Sequence, residues 1–456
     1  MTQPPPTDAS RPFARYLLDT RLEDVPPVVI AATKRSLFDT VGVMLAGSGP
    51  HGGAHRVVRM LSMWGGLPSS TVIGHELRLP APHAAFANGA MAHQFDFDDT
   101  HDQAVAHPTA NTLAAGLAVA EALDGASGGD LLRAVVLGND LTCRLGLAIE
   151  GSLYEYPWTR PPIIGIWGAT AAASVLLGLD EDRIRSAFGL TLHQTANTLE
   201  CLYSPNSEVR GLRDGFSARN GVTAACMAQA GIQADHTAFE GRFGLFHAYF
   251  RGEYRRAALL DELGSRFEGE HVSIKPWPSA RETHATIQAV LELRDRHELD
   301  PASIRSVMLR VGKTNLEFCE PGDVRRAPPS RMDALSGTLP CRRATAMCRS
   351  APMSAKDWAI PPCWISRARC TGPKTTSARW TARSRGGGSA SHSTMAACSR
   401  TAYAMPSAIP IIPWTAPICS TSSQAAGRWQ PPRLRSRQYK SCGTSSIRWR
   451  HARWPI

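Results

Sequence analysis

Acidic residues are almost absent from the last quarter of this 456-residue chain. Residues 337–456 contain one acidic side chain, Asp357, against 19 lysines and arginines. Residues 1–336 hold 38 acidic and 31 basic residues, a net charge of −7, whereas the whole chain carries +11. The basic excess therefore belongs to one segment. The remainder is mildly acidic, so we expect neither a nucleic-acid partner nor a membrane partner.

Cysteine and long apolar runs are also scarce before residue 337. The four cysteines there form no Cys-x-x-Cys pair, which excludes a zinc ribbon and gives no sign of a disulfide scaffold. No apolar run approaches the roughly 18 residues of a membrane span. The first residues lack the charged start and apolar core of a secretory signal. We therefore expect a cytoplasmic protein.

Helical periodicity dominates what is present. The segment PPVVIAATKRSLFDTVGVMLAGS repeats apolar residues at helical spacing from Val29 to Leu45 and closes near Gly47. HPTANTLAAGLAVAEALDG starts at Pro108 and is rich in alanine and leucine, as helices are. We predict a mainly α protein, with a mobile, proline-rich leader over residues 1–12 and a large all-helical domain over residues 13–270.

A second, smaller domain is predicted to start near residue 271. THATIQAVLELRDRHEL has apolar Ile287, Val290 and Leu291 on one helical face. The following SIRSVMLRVGK alternates in the manner of a strand. A helix followed by a strand indicates an α/β domain, which we assign to residues 271–336.

The segment HQFDFDDTHDQAVAHP, residues 93–108, concentrates acids and imidazoles, and several interpretations are open. The simplest is a solvated loop with a helix cap. A metal site would use Asp98, Asp99, His101 and His107. A diphosphate site would use the D-D-x-x-D pattern that ends at Asp102, but no second acidic motif follows it.

Proton transfer is the interpretation that fits this segment best. His107 precedes Pro108 and therefore sits just outside a helix start, where backbone N–H groups and the helix dipole favour an anion. A carboxylate substrate there would meet an imidazole base and the Thr100 hydroxyl. Cationic or imidazole side chains that could bind such a substrate follow later in the chain, at Arg210, Arg213, Lys275, Arg281 and His284.

Four ordered motifs carry a family resemblance: HQFDFDDTHDQAVAHP, GIWGATAAASVLLGL, RGLRDGFSARNGVTAACMAQAGI and KPWPSARETH. Residues 12–336 resemble the MmgE/PrpD family, which includes 2-methylcitrate dehydratase, cis-aconitate decarboxylase and an iminodisuccinate epimerase. The resemblance implies a large helical domain with a smaller α/β lid, a homodimer, and catalysis without metal or organic cofactor. It also implies a small carboxylate as substrate.

The resemblance further implies which residues form the site. Asp96, Thr100, His107 and Lys275 match the family's site positions, and Arg210 stands where decarboxylase-like members carry lysine. A further histidine of those members would fall near Thr159, and this chain has none there. We hypothesise that His107 or Lys275 moves the proton and that Arg210 and Asp96 orient the substrate. Further substrate contacts are expected from Arg213, Arg281 and His284.

Residues 337–456 do not resemble the continuation of that family. Seven tryptophans and seven cysteines accompany the basic excess, although disordered tails are poor in aromatics. Back-translating residues 357–382 and reading one base earlier gives GLGDPAVLDLAREVHWAEDDERALDG. The same shift turns AIPIIPW, residues 408–414, into GHPDNPL, which is similar to a family motif. We expect a frameshift after about residue 336, which would leave the lid without the rest of its sheet.

The sequence thus predicts a cofactor-independent lyase or isomerase that acts next to a carboxylate of a small di- or tricarboxylate, in the manner of 2-methylcitrate dehydratase. With the tail as written, we expect poor folding and no activity. The alternatives are a metal-dependent all-α enzyme that uses Asp98, Asp99 and Asp102, or the product of a non-functional gene. A homodimer is expected if the lid is intact.

Overall fold

The protein is described by a computed structural model that covers residues 7–50, 52–151, 155–204, 207–299, 306–312, 315, 377–381 and 394–398. Most of the segment predicted to be out of frame, and residues 1–6 of the predicted leader, lie outside the described residues. Within them the protein is mainly α, as predicted. No described helix combines the length and apolar character needed to cross a membrane.

Thirteen α-helices lie in the part of the chain that the structure describes. Their bounds are α1 Ser10–Asp19, α2 Pro27–Gly47, α3 Gly53–Trp64, α4 Ala81–His93, α5 Pro108–Ala122, α6 Gly128–Ala148, α7 Arg160–Leu176, α8 Glu181–Leu192, α9 Glu200–Tyr203, α10 Val209–Gln229, α11 Leu245–Phe250, α12 Arg256–Leu260 and α13 His284–His297. Short 3-10 helices lie at Leu22–Asp24, Glu268–His271 and Arg281–Thr283.

The central helices approach one another through glycine. A Cβ on Gly89 of α4 would lie 2.9 Å from the Cα of Gly215 in α10. A Cβ on Gly168 of α7 would lie 2.5 Å from the carbonyl oxygen of Gly138 in α6. Larger side chains would force these helices apart. The small-residue helices therefore bring α4, which leads into the acid-rich loop, close to α10, which carries Arg210 and Arg213.

An aromatic cluster fills the core beneath these helices. The ring of Phe239 lies 4.5 Å from Trp167, 5.2 Å from Phe188 and 5.4 Å from Phe13, measured between ring centroids. All four side chains are buried. Such pairs add about 0.5–1.5 kcal/mol each beyond the burial of their area. The cluster joins α1, α7 and α8 to the segment before α11.

The ordered region begins before residue 13, so the leader prediction is wrong for residues 7–12. Helix α1 starts at Ser10, and Asp8, Ala9 and Ser10 are buried. The Asp8 carboxylate accepts hydrogen bonds from the backbone N–H groups of Ser10, at 2.8 Å, and Glu240, at 2.6 Å. The bond from Glu240 ties Asp8 to a distant segment, although the composition around Asp8 is typical of a flexible leader.

Helix α2 has the predicted span but not entirely the predicted face. Val29 is buried, whereas Leu45 is 52% exposed. The buried side of the helix instead includes the hydroxyl groups of Thr33, Ser36 and Thr40. Apolar periodicity could not reveal this part of the face, because the side chains buried there are polar.

The predicted helix and strand after residue 271 are both present. Helix α13 is followed by strand β3, Ser306–Arg310. A short hairpin, β1 Ser70–Thr71 with β2 Arg78–Leu79, forms earlier in the chain.

The sequence analysis expected the strand of the lid to lose the other strands of its sheet. This expectation is wrong for β3, which has a strand on each side among the described residues. Strand β3 pairs antiparallel with β4, Ser377–Thr381, and parallel with β5, Thr394–Cys398. In these pairings Ser306 lies opposite Thr381 and Thr394. Both partner strands come from the basic segment, whose reading frame the backbone pairing does not test.

Candidate active site

Five parts of the chain meet around one pocket. They are the loop between α4 and α5, the start of α7, the short helix α9 with the residue before it, the start of α10, and the segment that precedes α13. The pocket is lined by Asp96, Thr100, Asp102, Val105, His107, Trp158, Thr159, Arg160, Pro161, Leu199, Leu202, Arg210, Arg213, Ala280, Arg281 and Glu282. Six of the eight predicted site residues lie on its wall, and Lys275 and His284 lie behind it.

Asp96 is the centre of a buried ion cluster. Its Oδ1 accepts a hydrogen bond from Lys275 Nζ at 2.6 Å, and its Oδ2 accepts one from Arg210 at 2.6 Å. Burial alone would raise the pKa of this carboxyl, but Lys275 and Arg210 hold that pKa well below its usual range. The three predicted residues therefore form one charged unit rather than three separate contacts.

The backbone of Asp96 contributes to this unit. Its φ of 51° lies in the left-handed region, which Asp tolerates better than most residues. The carbonyl oxygen of Asp96 accepts a second hydrogen bond from Lys275 Nζ, at 2.9 Å. Sparsely populated backbone conformations concentrate at functional sites.

Thr100 connects the loop to the segment that carries Lys275. The Thr100 N–H donates to the Ser273 carbonyl at 2.9 Å, and the Ser273 N–H donates to the Thr100 carbonyl at 2.8 Å. This two-bond bridge holds residues 273–275 against the acid-rich loop. Thr100 was predicted to contribute its hydroxyl group. Its backbone also positions the segment that carries Lys275.

His107 is held by one of its two ring nitrogens. Nδ1 lies 3.0 Å from the carbonyl oxygen of Asp99 and 3.4 Å from the Thr100 hydroxyl. Because a carbonyl oxygen only accepts, Nδ1 carries the proton and Nε2 has a free lone pair. Burial lowers the pKa of His107 to about 3, so the ring is neutral. This tautomer can accept a proton at Nε2.

A second buried histidine, which sequence reasoning missed, lies beside His107. The His93 ring centroid is 5.1 Å from that of His107. His93 Nδ1 lies 2.9 Å from Asp98 Oδ1 and 3.2 Å from Asp214 Oδ2. Burial lowers the pKa of His93 to about 3. His93 was inside the quoted motif, but its partner on α10 is distant in sequence and could not be paired with it from spacing.

The D-D-x-x-D carboxylates do not act together, so the diphosphate interpretation is wrong. Asp98 bonds His93, and Asp99 Oδ1 accepts a hydrogen bond at 3.2 Å from the Thr109 N–H in the first turn of α5. Asp102 pairs with Arg281, with contacts of 2.9 and 3.3 Å. Three carboxylates with three different partners do not form the single face that Mg²⁺-bound diphosphate requires.

Asp99 is therefore a helix cap, as the simplest interpretation expected of part of this loop. Its second oxygen, Oδ2, is buried without a hydrogen bond among the described residues. Burial raises the pKa of Asp99 to about 7. A carboxyl group that ionises near neutral pH inside the protein is not a permanent anion, which weakens it as a metal ligand.

A group of potential metal ligands does occur, but it differs from the predicted set. Ligand atoms of His93, Asp96, Asp98 and His107 lie within 4.8 Å of one another. Asp98 and His107 were in the predicted set. Both oxygens of Asp96 are already bonded to cations. The donors therefore fit a metal only if it competes with an ammonium and a guanidinium for Asp96.

His101, also proposed as a ligand, has a structural function. Its Nδ1 accepts a hydrogen bond from the Ala104 N–H at 3.1 Å, and its Nε2 lies 3.7 Å from Glu268. The ring thus stabilises the turn inside the loop. It lies outside the group of potential ligands found in the described residues.

The predicted substrate-binding residues divide into two groups. Arg213 and Arg281 line the pocket, with Asp214 and Asp102 respectively as their carboxylate partners. His284 does not line it. Its Nδ1 accepts from Arg281 at 3.3 Å, its Nε2 donates to the Ser279 carbonyl at 3.3 Å, and burial lowers its pKa to about 4. His284 therefore supports Arg281, which corrects its predicted contact with substrate.

The start of α7 forms one wall of the pocket. Thr159 is the one residue of this wall that the sequence analysis considered. Thr159, where the resemblance implies a histidine, lines the pocket, and its hydroxyl donates to the Thr198 carbonyl at 3.0 Å. Arg160 follows it and was missed, because a single arginine before two prolines carries no recognisable pattern. Glu282 also lines the pocket, and burial raises its pKa.

Comparison with known proteins gives the family. The MmgE/PrpD N-terminal domain matches residues 11–257, and the chain belongs to the MmgE/PrpD family. Human cis-aconitate decarboxylase is 30% identical over 314 residues, which is 66% of this chain and 63% of that protein. The mouse cis-aconitate decarboxylase is 29% identical over 296 residues, covering 63% of this chain and 59% of the relative.

More distant relatives carry the same description. The cis-aconitate decarboxylase of Aspergillus terreus is 25% identical over 313 residues, or 65% of this chain and 63% of the relative. The chain thus spans about three fifths of the length of the curated relatives it matches. These matches establish the family of the chain, whereas its reaction depends on the residues that line the pocket.

Proposed function

We propose that this chain is a lyase for a small tricarboxylate, which moves a proton at the carbon next to a carboxylate without a metal or organic cofactor. The observation that carries the proposal is the state of His107. Its Nδ1 proton is held by a backbone carbonyl, which leaves Nε2 as a base beside a pocket lined with arginines. General bases of this kind contribute about 10²–10⁴-fold to a rate.

The pocket is electrostatically suited to an anion. Arginines lie near the N-termini of two helices: Arg160 is the first residue of α7, and Arg210 and Arg213 are the second and fifth residues of α10. A helix N-terminus carries partial positive charge, so cations there are disfavoured unless a negative charge lies nearby. A polycarboxylate would supply that charge and would meet several guanidinium groups at once.

Proton removal would create an enediolate-like charge on the substrate carboxylate. His107 Nε2 accepts the proton, and Asp98, 3.5 Å from Nδ1, stabilises the resulting imidazolium. A bound carboxylate near the ring also raises the pKa of His107 from the low value that burial causes. The arginines stabilise the charge that develops on the substrate.

Of the two proton-transfer candidates, His107 is favoured over Lys275. The Lys275 ammonium donates to both the carboxylate and the carbonyl of Asp96 and lies behind the pocket wall. Its Nζ is thus occupied by bonds within the ion cluster of Asp96. Lys275 then serves as a fixed cation that orients Asp96, and through it Arg210.

The type of reaction is inferred from two differences between this chain and the decarboxylase-like members of the family. Arg210 occupies a position where the resemblance implies lysine in decarboxylase-like members, and Thr159 stands where it implies histidine. We therefore propose a dehydratase-like reaction, similar to that of 2-methylcitrate dehydratase, rather than decarboxylation. An isomerase that exchanges the same proton is the nearest alternative.

A metal-dependent enzyme is the second candidate, because His93, Asp96, Asp98 and His107 approach one another. A metal there would polarise a substrate carboxylate, held by Asp98 and the two imidazoles. The competition of Lys275 and Arg210 for Asp96 argues against it.

Four further expectations accompany the proposal. The domain limits of 13–270 and 271–336, apart from the earlier start at α1, a homodimer if the lid is intact, and a cytoplasmic location remain proposals. So does the frameshift after about residue 336. Sequencing the coding DNA from about codon 325 to codon 430 tests the frameshift: a missing or extra base near codon 337 supports it, and DNA that encodes the chain as written leaves an impaired enzyme or the product of a non-functional gene.

The function is tested with a panel of substrates and two forms of the protein. The chain as written and a chain with the frame restored after residue 336 are incubated with 2-methylcitrate, cis-aconitate and a dicarboxylate control, with and without EDTA. We expect the restored chain to dehydrate a tricarboxylate in the presence of EDTA and the chain as written to be inactive. Turnover that EDTA abolishes supports the metal-dependent alternative. A restored chain that binds and converts none of the acids contradicts the proposal.

A further inference from the structure

We propose that Arg160 binds the substrate carboxylate that lies farthest from the reacting carbon, and so makes the pocket specific for tricarboxylates over dicarboxylates. This inference rests on the proposed function. It assigns to the start of α7 a recognition function beside the catalytic residues of the acid-rich loop.

Arg160 differs from the other cations of the pocket in its partners. Its side chain donates to the Gly151 carbonyl oxygen at 3.2 Å. Within the described part of the chain, no carboxylate forms an ion pair with it; burial lowers its pKa, and only the phenol of Tyr156 acts in the opposite direction. By contrast, each other arginine on the pocket wall has a carboxylate partner, namely Asp96 for Arg210, Asp214 for Arg213 and Asp102 for Arg281.

Because Arg160 is buried, its lack of a carboxylate partner destabilises the protein when the pocket is empty. Only 7% of the residue is exposed, and burial lowers its pKa. Guanidinium groups stay protonated in proteins, and a buried charge without a counter-charge is destabilising. Arg160 is also the first residue of α7, where the helix dipole disfavours a cation. A bound anion would offset both penalties.

The backbone of α7 cannot take over this function alone. Pro161 and Pro162 follow Arg160 directly, and proline has no N–H to donate. The first turn therefore offers fewer backbone donors than an ordinary helix N-terminus. The guanidinium of Arg160, with its planar set of donors, becomes the main group at this wall that can bind a carboxylate in bidentate fashion.

Binding of two unreactive acids to the full 456-residue chain tests the inference. Tricarballylate has three carboxylates, and 2-methylsuccinate is the same molecule with one terminal carboxylate replaced by hydrogen. Isothermal titration is carried out with wild type, Arg160→Gln and Arg160→Lys. We expect Arg160→Gln to weaken tricarballylate binding roughly 10- to 100-fold and 2-methylsuccinate binding by less than about threefold. Arg160→Lys should recover part of the loss, because lysine keeps the charge but not the bidentate geometry.

Arg219→Gln is the matched control. Arg219 lies on α10 and, like Arg160, is at least partly buried, but it packs over the rings of Phe86 and Phe216 away from this pocket. It should change neither affinity. The same titrations with the frame-restored chain provide a second preparation in case the chain as written aggregates.

The outcomes separate this inference from the proposed function. Unchanged tricarballylate binding in Arg160→Gln, or an equal loss for both acids, overturns the role of Arg160 and leaves the proposed function standing. Wild-type protein that binds neither acid in either preparation contradicts the proposed function, and this inference with it.

Discussion

The two walls of the pocket solve the problem of buried charge in different ways. On one wall, Asp96, Lys275 and Arg210 neutralise one another through contacts of 2.6 Å. On the other, Arg160 has a single bond to a carbonyl oxygen and no carboxylate partner among the described residues. The first arrangement is complete without a ligand and fixes the shape of the site. The second is incomplete and determines what the site can bind.

Removing the negative charge of the cluster formed by Asp96, Lys275 and Arg210 should have the largest effect on stability. In Asp96→Asn, Lys275 and Arg210 remain buried without their common counter-charge. Removing one partner of a buried ion pair typically costs about 3–5 kcal/mol. We expect a decrease of that size in the free energy of unfolding, measured by urea titration at pH 7 on the frame-restored chain.

Asp235→Asn is the control for this loss, because Asp235 is exposed and pairs with the exposed His193. It should change the free energy of unfolding by less than about 1 kcal/mol. Equal stability of Asp96→Asn and Asp235→Asn would mean that the ion cluster does not organise the loop.

Buried His93 should make the free energy of unfolding depend on pH. Burial lowers the pKa of His93 to about 3, against 6.5 in an unfolded chain. Between these values the unfolded state binds more protons, so stability rises as pH increases towards 6.5 and is then constant. From pH 7 to pH 5, His93 should therefore cost the wild type about 2 kcal/mol.

The variant His93→Asn removes this term. The difference in unfolding free energy between pH 7 and pH 5 should be smaller by about 2 kcal/mol in the variant, whatever its absolute stability. The opposite contribution of Asp99, whose pKa is raised to about 7, is present in both proteins and cancels. His193→Asn, a change at an exposed position, should leave the difference unaltered. An unchanged difference in His93→Asn would contradict a neutral, buried His93.

Sequence reasoning reached one wall of the pocket and missed most of the other. The motif around residues 93–108 and the later KPWPSARETH segment led to Asp96, His107 and Lys275 because their order in the chain resembles a family. The helices α2, α5 and α13 followed from apolar spacing and from proline at helix starts.

What the sequence could not provide were pairings between distant segments. His93 meets Asp214 because α4 and α10 approach closely at Gly89 and Gly215. Arg160 is distinctive because of what it lacks, and the absence of a counter-charge becomes visible only once the neighbours are known. The separate partners of Asp98, Asp99 and Asp102 likewise depend on tertiary contacts, which is why their shared motif was misleading.

The most direct test of the account is the turnover of His107→Ala on the frame-restored chain, together with its affinity for tricarballylate. If Nε2 of His107 accepts the substrate proton, turnover should fall at least about 100-fold. Affinity should stay within about threefold of wild type, because the arginines that bind the carboxylates are unchanged. Near-normal turnover would contradict the central claim that His107 is the base of this pocket.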